Sequence, residues 1–460
     1  MKINQSFLYT LFLSSVAAIG GFLFGYDSAV INGAVAALQS AFHSSSAASG
    51  FSVASMLLGC AVGALFAGNF ADRLGRKPVM LATAVLFLVS AVGSGIASGV
   101  FEFIIYRLIG GLAVGAASVI APTYISEIAP EKIRGRLASL QQLAIVVGIL
   151  SAFLVNYGIA GAAGGSAQPF LLNFAAWRWM FWSEGVPSIL FLGLILLIPE
   201  SPRYLMAAKR EPKARQILAR LIAPEVLETT ITQIRESINH ARKPRYSDIF
   251  SGGSILAVVW IGIGLSIFQQ FVGINVVFYY GSVLWQTAGF DESKALLINV
   301  LSGTINIIST LVAISLIDKA GRKPLLLGGS IGMALTLGTL TVLFSMAQLP
   351  GGEMKMSSGQ AIAALVAAHA YIFCFGVSWG PVVWVLLGEM FNNRIRGAAI
   401  STAASAQWVA NFAITMTFPI ILASFGLFAA YGLYTLFAVL SIFFVLFYVK
   451  ETKGKRLEEM

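Results

Sequence analysis

The chain has 460 residues, 57% apolar and 11% charged, against about 25% charged in an average soluble protein, so water cannot cover its surface and a soluble domain is excluded. A net charge of +10 falls in short clusters between apolar runs and forms no basic stripe, which argues against a nucleic-acid partner. Cys60 and Cys374 both lie in apolar stretches, giving neither a disulfide framework nor a metal site.

A membrane-spanning helix takes about 20 apolar residues, and runs free of Asp, Glu, Lys and Arg supply twelve. They are predicted near 8–34, 50–70, 78–99, 102–125, 139–158, 181–198, 254–280, 296–317, 324–346, 361–389, 398–420 and 427–449. The last run, Gly397 to Val449, would extend about 80 Å as one helix. It must fold back, and Ala423 to Ala429 is the expected place. The segment from Arg203 to Ser247 is polar, with Pro212 and Pro224 at helix starts and Ile217, Leu218, Leu221 and Ile222 on one face. It reads as short amphipathic helices under the bundle.

With the N-terminus inside, the cytoplasmic segments hold 26 of the 30 Lys and Arg residues, so both termini are expected in the cytoplasm. The halves repeat. Asp72-Arg-Leu-Gly-Arg-Lys-Pro78 is answered by Asp318-Lys-Ala-Gly-Arg-Lys-Pro324, Glu127 with Arg134 by Glu389 with Arg396, and Glu200 by Glu451. The expected organisation is a six-helix bundle at 1–198, an intracellular helical linker at 199–248, a second six-helix bundle at 249–450 and a cytoplasmic tail at 451–460.

Polar side chains within spans carry the chemistry, because they are costly in lipid. Gln142, Gln269, Gln270, Asn275, Asn306, Gln407 and Asn411 both donate and accept without bringing charge, which suits an uncharged polar ligand. Trp384 can serve as an apolar platform, and interhelical hydrogen bonding is the alternative use of the amides. Asp27 and Arg107 fall at similar depth, where a carboxylate beside a guanidinium can change protonation with conformation. A static structural pair is the alternative. Trp177, Trp179 and Trp182 are expected in an interfacial aromatic belt. His43, His240 and His369 are too dispersed for a relay or a metal site. No nucleotide-binding loop of the Gly-rich Lys-Ser/Thr type is present, and neither catalytic residues nor cofactors are expected.

The chain resembles the sugar porters of the major facilitator superfamily. The likeness rests on the Asp-Arg-x-Gly-Arg-Lys loops at 72–77 and 318–323, Arg107 in YRLIGGLAVG, Glu127 to Gly135, Trp177-Arg178-Trp179, Pro199 to Arg203 in PESPR, QQFVGIN from Gln269, Trp384, Glu389, Arg396 and Glu451 to Gly454. That resemblance implies an all-α membrane protein of twelve helices in two bundles, importing a monosaccharide by alternating access. It implies sugar contacts at the amides and Trp384, and a proton-coupled mode at Asp27, which is asparagine in animal facilitators. It makes Asp72, Arg76, Glu127, Arg134, Glu200, Arg203, Asp318, Arg322, Glu389 and Arg396 members of intracellular charge networks that gate the inner side. The expectation is symport of glucose, or else of xylose or another aldose, by a monomer in a bacterial inner membrane, its partners being sugar, proton and lipid. A facilitator, a non-transporting sensor and, more weakly, a drug antiporter are the alternatives.

Overall fold

The computed structural model describes residues 5–130, 134–240, 246–251, 254–348, 354–391 and 395–453. Its helices follow the apolar runs because in lipid every backbone donor and acceptor must be satisfied within the segment. In chain order they are α1 (Gln5–Val30), α2 (Val35–Ala41), α3 (Ser46–Leu74), α4 (Arg76–Ile96), α5 (Val100–Ile128), α6 (Arg134–Ala163), α7 (Ala176–Ser183) and α8 (Gly185–Leu197). Then come α9 (Pro202–Ala207), α10 (Glu211–Leu221), α11 (Pro224–His240), α12 (Ala257–Phe271), α13 (Ile274–Thr287) and α14 (Glu292–Ala320). The chain closes with α15 (Arg322–Ala347), α16 (Ser358–Val377), α17 (Trp379–Glu389), α18 (Arg396–Phe425) and α19 (Leu427–Tyr448). A two-residue ladder, β1 (Phe250–Ser251) against β2 (Ser254–Ile255), precedes α12.

These helices form twelve spans long and apolar enough to cross a membrane, each within several residues of its predicted place. The final run turns at Gly426, inside the expected interval. Helix starts are fixed locally. The Ser45 hydroxyl accepts from the Ala48 N–H, the Asp291 carboxylate from that of Lys294, and Ser357 with Gln360 makes a reciprocal capping box.

An even number of spans brings the first and last helix ends to one end of the bundle, called here the terminal end; the opposite is the far end. Helices α1, α3, α4, α5 and α6 pack closely among themselves, as do α12, α15, α16, α18 and α19. The two groups meet where α18 lies on α3 and α14 on α6. Between them α9, α10 and α11 start at or beside Pro202, Pro212 and Pro224. Leu218 and Leu221 of α10 are buried, and the Ser6 hydroxyl donates to the Leu221 carbonyl, tying this segment to the start of α1.

The aromatic belt is corrected at Trp177. That ring is 2% exposed and packs edge-on against Phe42 and Phe181, with the Arg178 guanidinium 4.4 Å from its centre. A neighbouring cation and two rings bury it more favourably than the interface would. Trp179 and Trp182 stay half-buried and pack on one another at 5.1 Å.

Candidate functional site: an amide row and a buried acid–base cluster

Three spans are built from two α-helices: the sixth, interrupted at Glu184 between α7 and α8, the seventh and the tenth. The seventh stops at α12 and resumes at α13 through Gly273, whose φ of +85° a side-chain-bearing residue rarely adopts. The tenth changes course at Ser378 between α16 and α17. Interrupted helices expose backbone carbonyls inside the bundle, and the structure uses them. Gln269 Nε2 donates to the carbonyls of Trp379 (2.7 Å) and Gly380 (3.2 Å), fastening one break to the other. Gln270 Nε2 donates to Gln269 Oε1 at 3.3 Å, and Asn275 Nδ2 to Gln270 Oε1 at 2.5 Å. Three uncharged amides therefore run head to tail across the break, Gln269 and Gln270 buried and Asn275 half-buried.

The other amides are placed differently. Asn411 is buried on α18, donating to the Tyr279 hydroxyl (3.4 Å) and accepting from Thr415 (3.1 Å). Asn306 is buried on α14, Gln142 is half-buried on α6, and Gln407 on α18 has a buried Oε1 without a hydrogen-bond partner among the described residues. Trp384 is 42% exposed on α17. The fully buried tryptophan there is Trp379, whose indole N–H reaches the Leu326 carbonyl and the Ser330 hydroxyl.

Asp27 and Arg107 form an ion pair, with side-chain exposures of 0% and 1%. The guanidinium also donates to the Asp27 carbonyl (3.2 Å) and to Met56 Sδ (2.8 Å), and lies 5.8 Å from the centre of the Phe181 ring. A third charge completes the cluster and was not among the sequence candidates. Glu184 is fully buried between α7 and α8 close to the Asp27–Arg107 pair, and among the described residues neither of its carboxylate oxygens, nor Asp27 Oδ2, has a hydrogen-bond partner. Sequence carried a signal for it, an acidic residue within the span predicted at 181–198.

At the terminal end the repeat yields two matching clusters. Arg76 grips Glu127 with two hydrogen bonds (2.9 and 2.8 Å) and reaches Asp72 at 3.2 Å. Glu200 accepts from the backbone N–H groups of Arg76 (3.0 Å) and Lys77 (3.1 Å), and the Ser201 hydroxyl donates to Glu127 at 2.5 Å. In the second half Arg322 grips Glu389 (3.0 and 2.8 Å) and reaches Asp318 at 3.1 Å. Glu451 accepts from the N–H groups of Arg322 (3.0 Å) and Lys323 (2.9 Å), and the Thr452 hydroxyl donates to Glu389 at 2.6 Å.

Arg203 is the exception to the expected networks. It is exposed and forms no ion pair among the described residues, because backbone N–H groups already occupy the Glu200 carboxylate. The side chains of Arg134 and Arg396 lie outside the described residues. Ser201, Glu451 and Thr452 are members that the sequence candidates omitted.

The far end holds a contact between the halves centred on Asn32. Its Nδ2 donates to the Phe278 carbonyl (2.8 Å), while its Oδ1 accepts from the Ser282 N–H (3.0 Å) and from Asn299 Nδ2 (2.7 Å). The Ser282 hydroxyl donates to the Asn32 carbonyl.

Comparison with known proteins gives a consistent result. The family profile described as "Sugar (and other) transporter" matches residues 13–460. A glucose transport protein of Synechocystis sp. is 56% identical over 98% of this chain and 97% of its own length. The D-xylose-proton symporter of Escherichia coli (strain K12) is 41% identical over 99% and 96%. Among solved structures, the inward open conformation of the xylose transporter XylE from E. coli superposes with a TM-score of 0.84 at 39% identity, covering 98% of this chain and 99% of that one. The same protein bound to 6-bromo-6-deoxy-D-glucose gives 0.79 at 40% identity, covering 99% and 98%.

Proposed function

The chain belongs to the sugar transporter family, and on that premise we propose that it imports a monosaccharide together with a proton by alternating access. Glucose is the favoured sugar, since the relative named for glucose is more similar than the one named for xylose. The observation that carries the reading is the presence of two chemistries, one in each half: an uncharged amide row at the break between α12 and α13, and a buried acid–base cluster at Asp27. Amides match hydroxyls that donate and accept, and Gln142, Asn306, Gln407, Asn411 and Trp384 supply the remaining sugar contacts. Midspan breaks are where alternating-access proteins hold substrate.

Charge counting supports the proton. Asp27, Glu184 and Arg107 together carry −1 when all are ionised and zero with one added proton. A cluster sealed from water favours the neutral composition. In this reading the coupled proton rides on the carboxylates of this cluster and leaves as the Asp27–Arg107 pair rearranges.

The terminal end is cytoplasmic on the distribution of Lys and Arg. The two bundles, 1–198 and 249–450, move against one another, with the charge clusters of Asp72, Arg76, Glu127 and Glu200 and of Asp318, Arg322 and Glu389 biasing the inner side. The higher TM-score to the inward open relative, with the Asn32 contact joining the halves at the far end, supports an inward-facing state here.

Uptake of labelled glucose into proteoliposomes tests the coupling. Wild type should accumulate sugar only under an inward proton gradient. Asp27→Asn and Glu184→Gln should lose accumulation yet retain exchange at equal concentrations. Equal wild-type uptake with and without the gradient, and no proton movement on adding sugar, would make the chain a facilitator.

A further inference from the structure

Below the first bundle, at the terminal end, α9, α10 and the start of α4 border an open pocket of about 460 Å³ whose lining includes Leu74, Lys77, Glu200, Tyr204, Arg210 and Lys213. That volume lies in the roughly 300–1,000 Å³ range of small-molecule sites. Its charge is unbalanced, with three cations facing one carboxylate. Moreover, both oxygens of that carboxylate are engaged, Oε1 by the N–H groups of Arg76 and Ser201 and Oε2 by that of Lys77.

The nearby acids are spent elsewhere. Glu211 pairs with Arg235 at 2.7 Å, and Glu228 pairs with Arg215. Among the described residues neither Arg210 nor Lys213 has an acidic partner. Lys77 directs Nζ to the carbonyls of Leu196 (2.9 Å) and Ile198 (2.8 Å), which leaves one of its three N–H donors without a partner among the described residues. Leu74, 59% exposed, gives the pocket an apolar border where span α3 ends.

We propose that this pocket binds a phosphate group bearing net negative charge, held by Arg210 and Lys213 with Lys77 behind them. A guanidinium and an ammonium converging on one space suit a phosphate with several acceptor oxygens, and the guanidinium can engage two of them at once. Basic pockets beside spans on the cytoplasmic side take lipid head groups by the same chemistry. The phosphate arrives either on an anionic lipid, with its chains along Leu74, or on a water-soluble phosphate compound. Bound there, it bridges α10 to α4 and fastens the linking helices to the first bundle. None of this depends on which sugar the chain carries or on how transport is coupled.

The full chain in detergent is titrated with dioctanoyl-phosphatidylglycerol, with dioctanoyl-phosphatidylcholine and with inorganic phosphate, and binding is read by native mass spectrometry and thermal shift. The same titrations are run on Arg210→Gln/Lys213→Gln. Both side chains are exposed, so the variant should melt and bind sugar as wild type does. Saturable binding of phosphatidylglycerol that is at least tenfold weaker in the variant supports the site. Competition by inorganic phosphate would then assign it to free phosphates, and absence of competition would assign it to lipid. Equal binding of phosphatidylcholine and phosphatidylglycerol, equal affinity in wild type and variant, or no binding of any probe to wild type would overturn the proposal.

Discussion

Replacing Asn32 by alanine should release the far end. The Asn32 amide sits between the Phe278 carbonyl and the Ser282 N–H, which are the two ends of one i to i+4 helical bond in α13, and it also accepts from Asn299. With the amide gone, α13 can reclose its own bond, so only Asn299 is left wholly without its partner. At about 1 kcal/mol net per hydrogen bond, the loss to the closed far end is about 1–3 kcal/mol. These bonds join the halves in this conformation, so their loss shifts the conformational equilibrium by roughly 5- to 150-fold toward states with the far end apart. Gly281→Ala should act in the same direction, because a Cβ there would stand 2.2 Å from Asn299 Oδ1 and 2.9 Å from Asn32 Nδ2. Pairs of spin labels on far-end loops of the two halves report the populations. Unchanged distance distributions in both variants would show that these contacts do not hold the far end closed.

Gln270→Ala and Asn275→Ala should each weaken sugar binding by about 1–3 kcal/mol, since each breaks the amide row and leaves a neighbour unmatched; calorimetry on folded protein checks it. Arg76→Ala should lower the melting temperature more than Arg322→Ala. Glu127 would be stranded at 7% side-chain exposure, a loss of about 3–5 kcal/mol for a buried pair, whereas Glu389 at 30% is partly rescued by water. Burial alone would raise the Glu451 carboxyl, but the N–H groups of Arg322, Lys453, Lys323 and Thr452 outweigh it and hold it below the usual carboxylate range. A depressed folded value stabilises the protein above the unfolded carboxylate pKa, and that stabilisation is lost as pH falls through the folded value. Melting temperature against pH should therefore lose part of its acid-side slope in Glu451→Gln.

The twelve spans were legible because each needs an apolar run of fixed minimum length, and charged residues mark where runs stop. The same criterion hid Glu184. Treating every acid as a run boundary makes a buried carboxylate look like the edge of a loop, although the predicted sixth helix contained it. Nor could hydropathy find the break at Gly273, since a glycine within an apolar segment barely alters it. The predicted seventh span accordingly runs continuously and ends at 280, while α13 continues to Thr287. Arg76 meets Glu127 only once α4 and α5 are packed, whereas sequence proximity pointed to Arg134. Asn32 was invisible for the opposite reason, because its partners lie in the other half of the chain.

The repeat suggests how the two sites communicate. Asp318 follows Asp72 by 246 residues, and Glu451 follows Glu200 by 251. Asn275 follows Asp27 by 248, each two residues after a glycine, Gly25 and Gly273, in the first span of its half. Equivalent positions thus carry a carboxylate in one half and a neutral amide in the other, the first in the acid–base cluster and the second in the amide row. Ser282 follows Asn32 by 250, and these two touch. The far-end contact therefore falls where the first spans of the two halves meet, within two residues of equivalent positions. On the proposed alternating-access reading, parting it moves α1 and α13 relative to one another, and with them Asp27 and Asn275. On the proposed symport reading, a single rigid displacement would alter both environments at once, and coupling between proton and sugar would need no relay of side chains running between them.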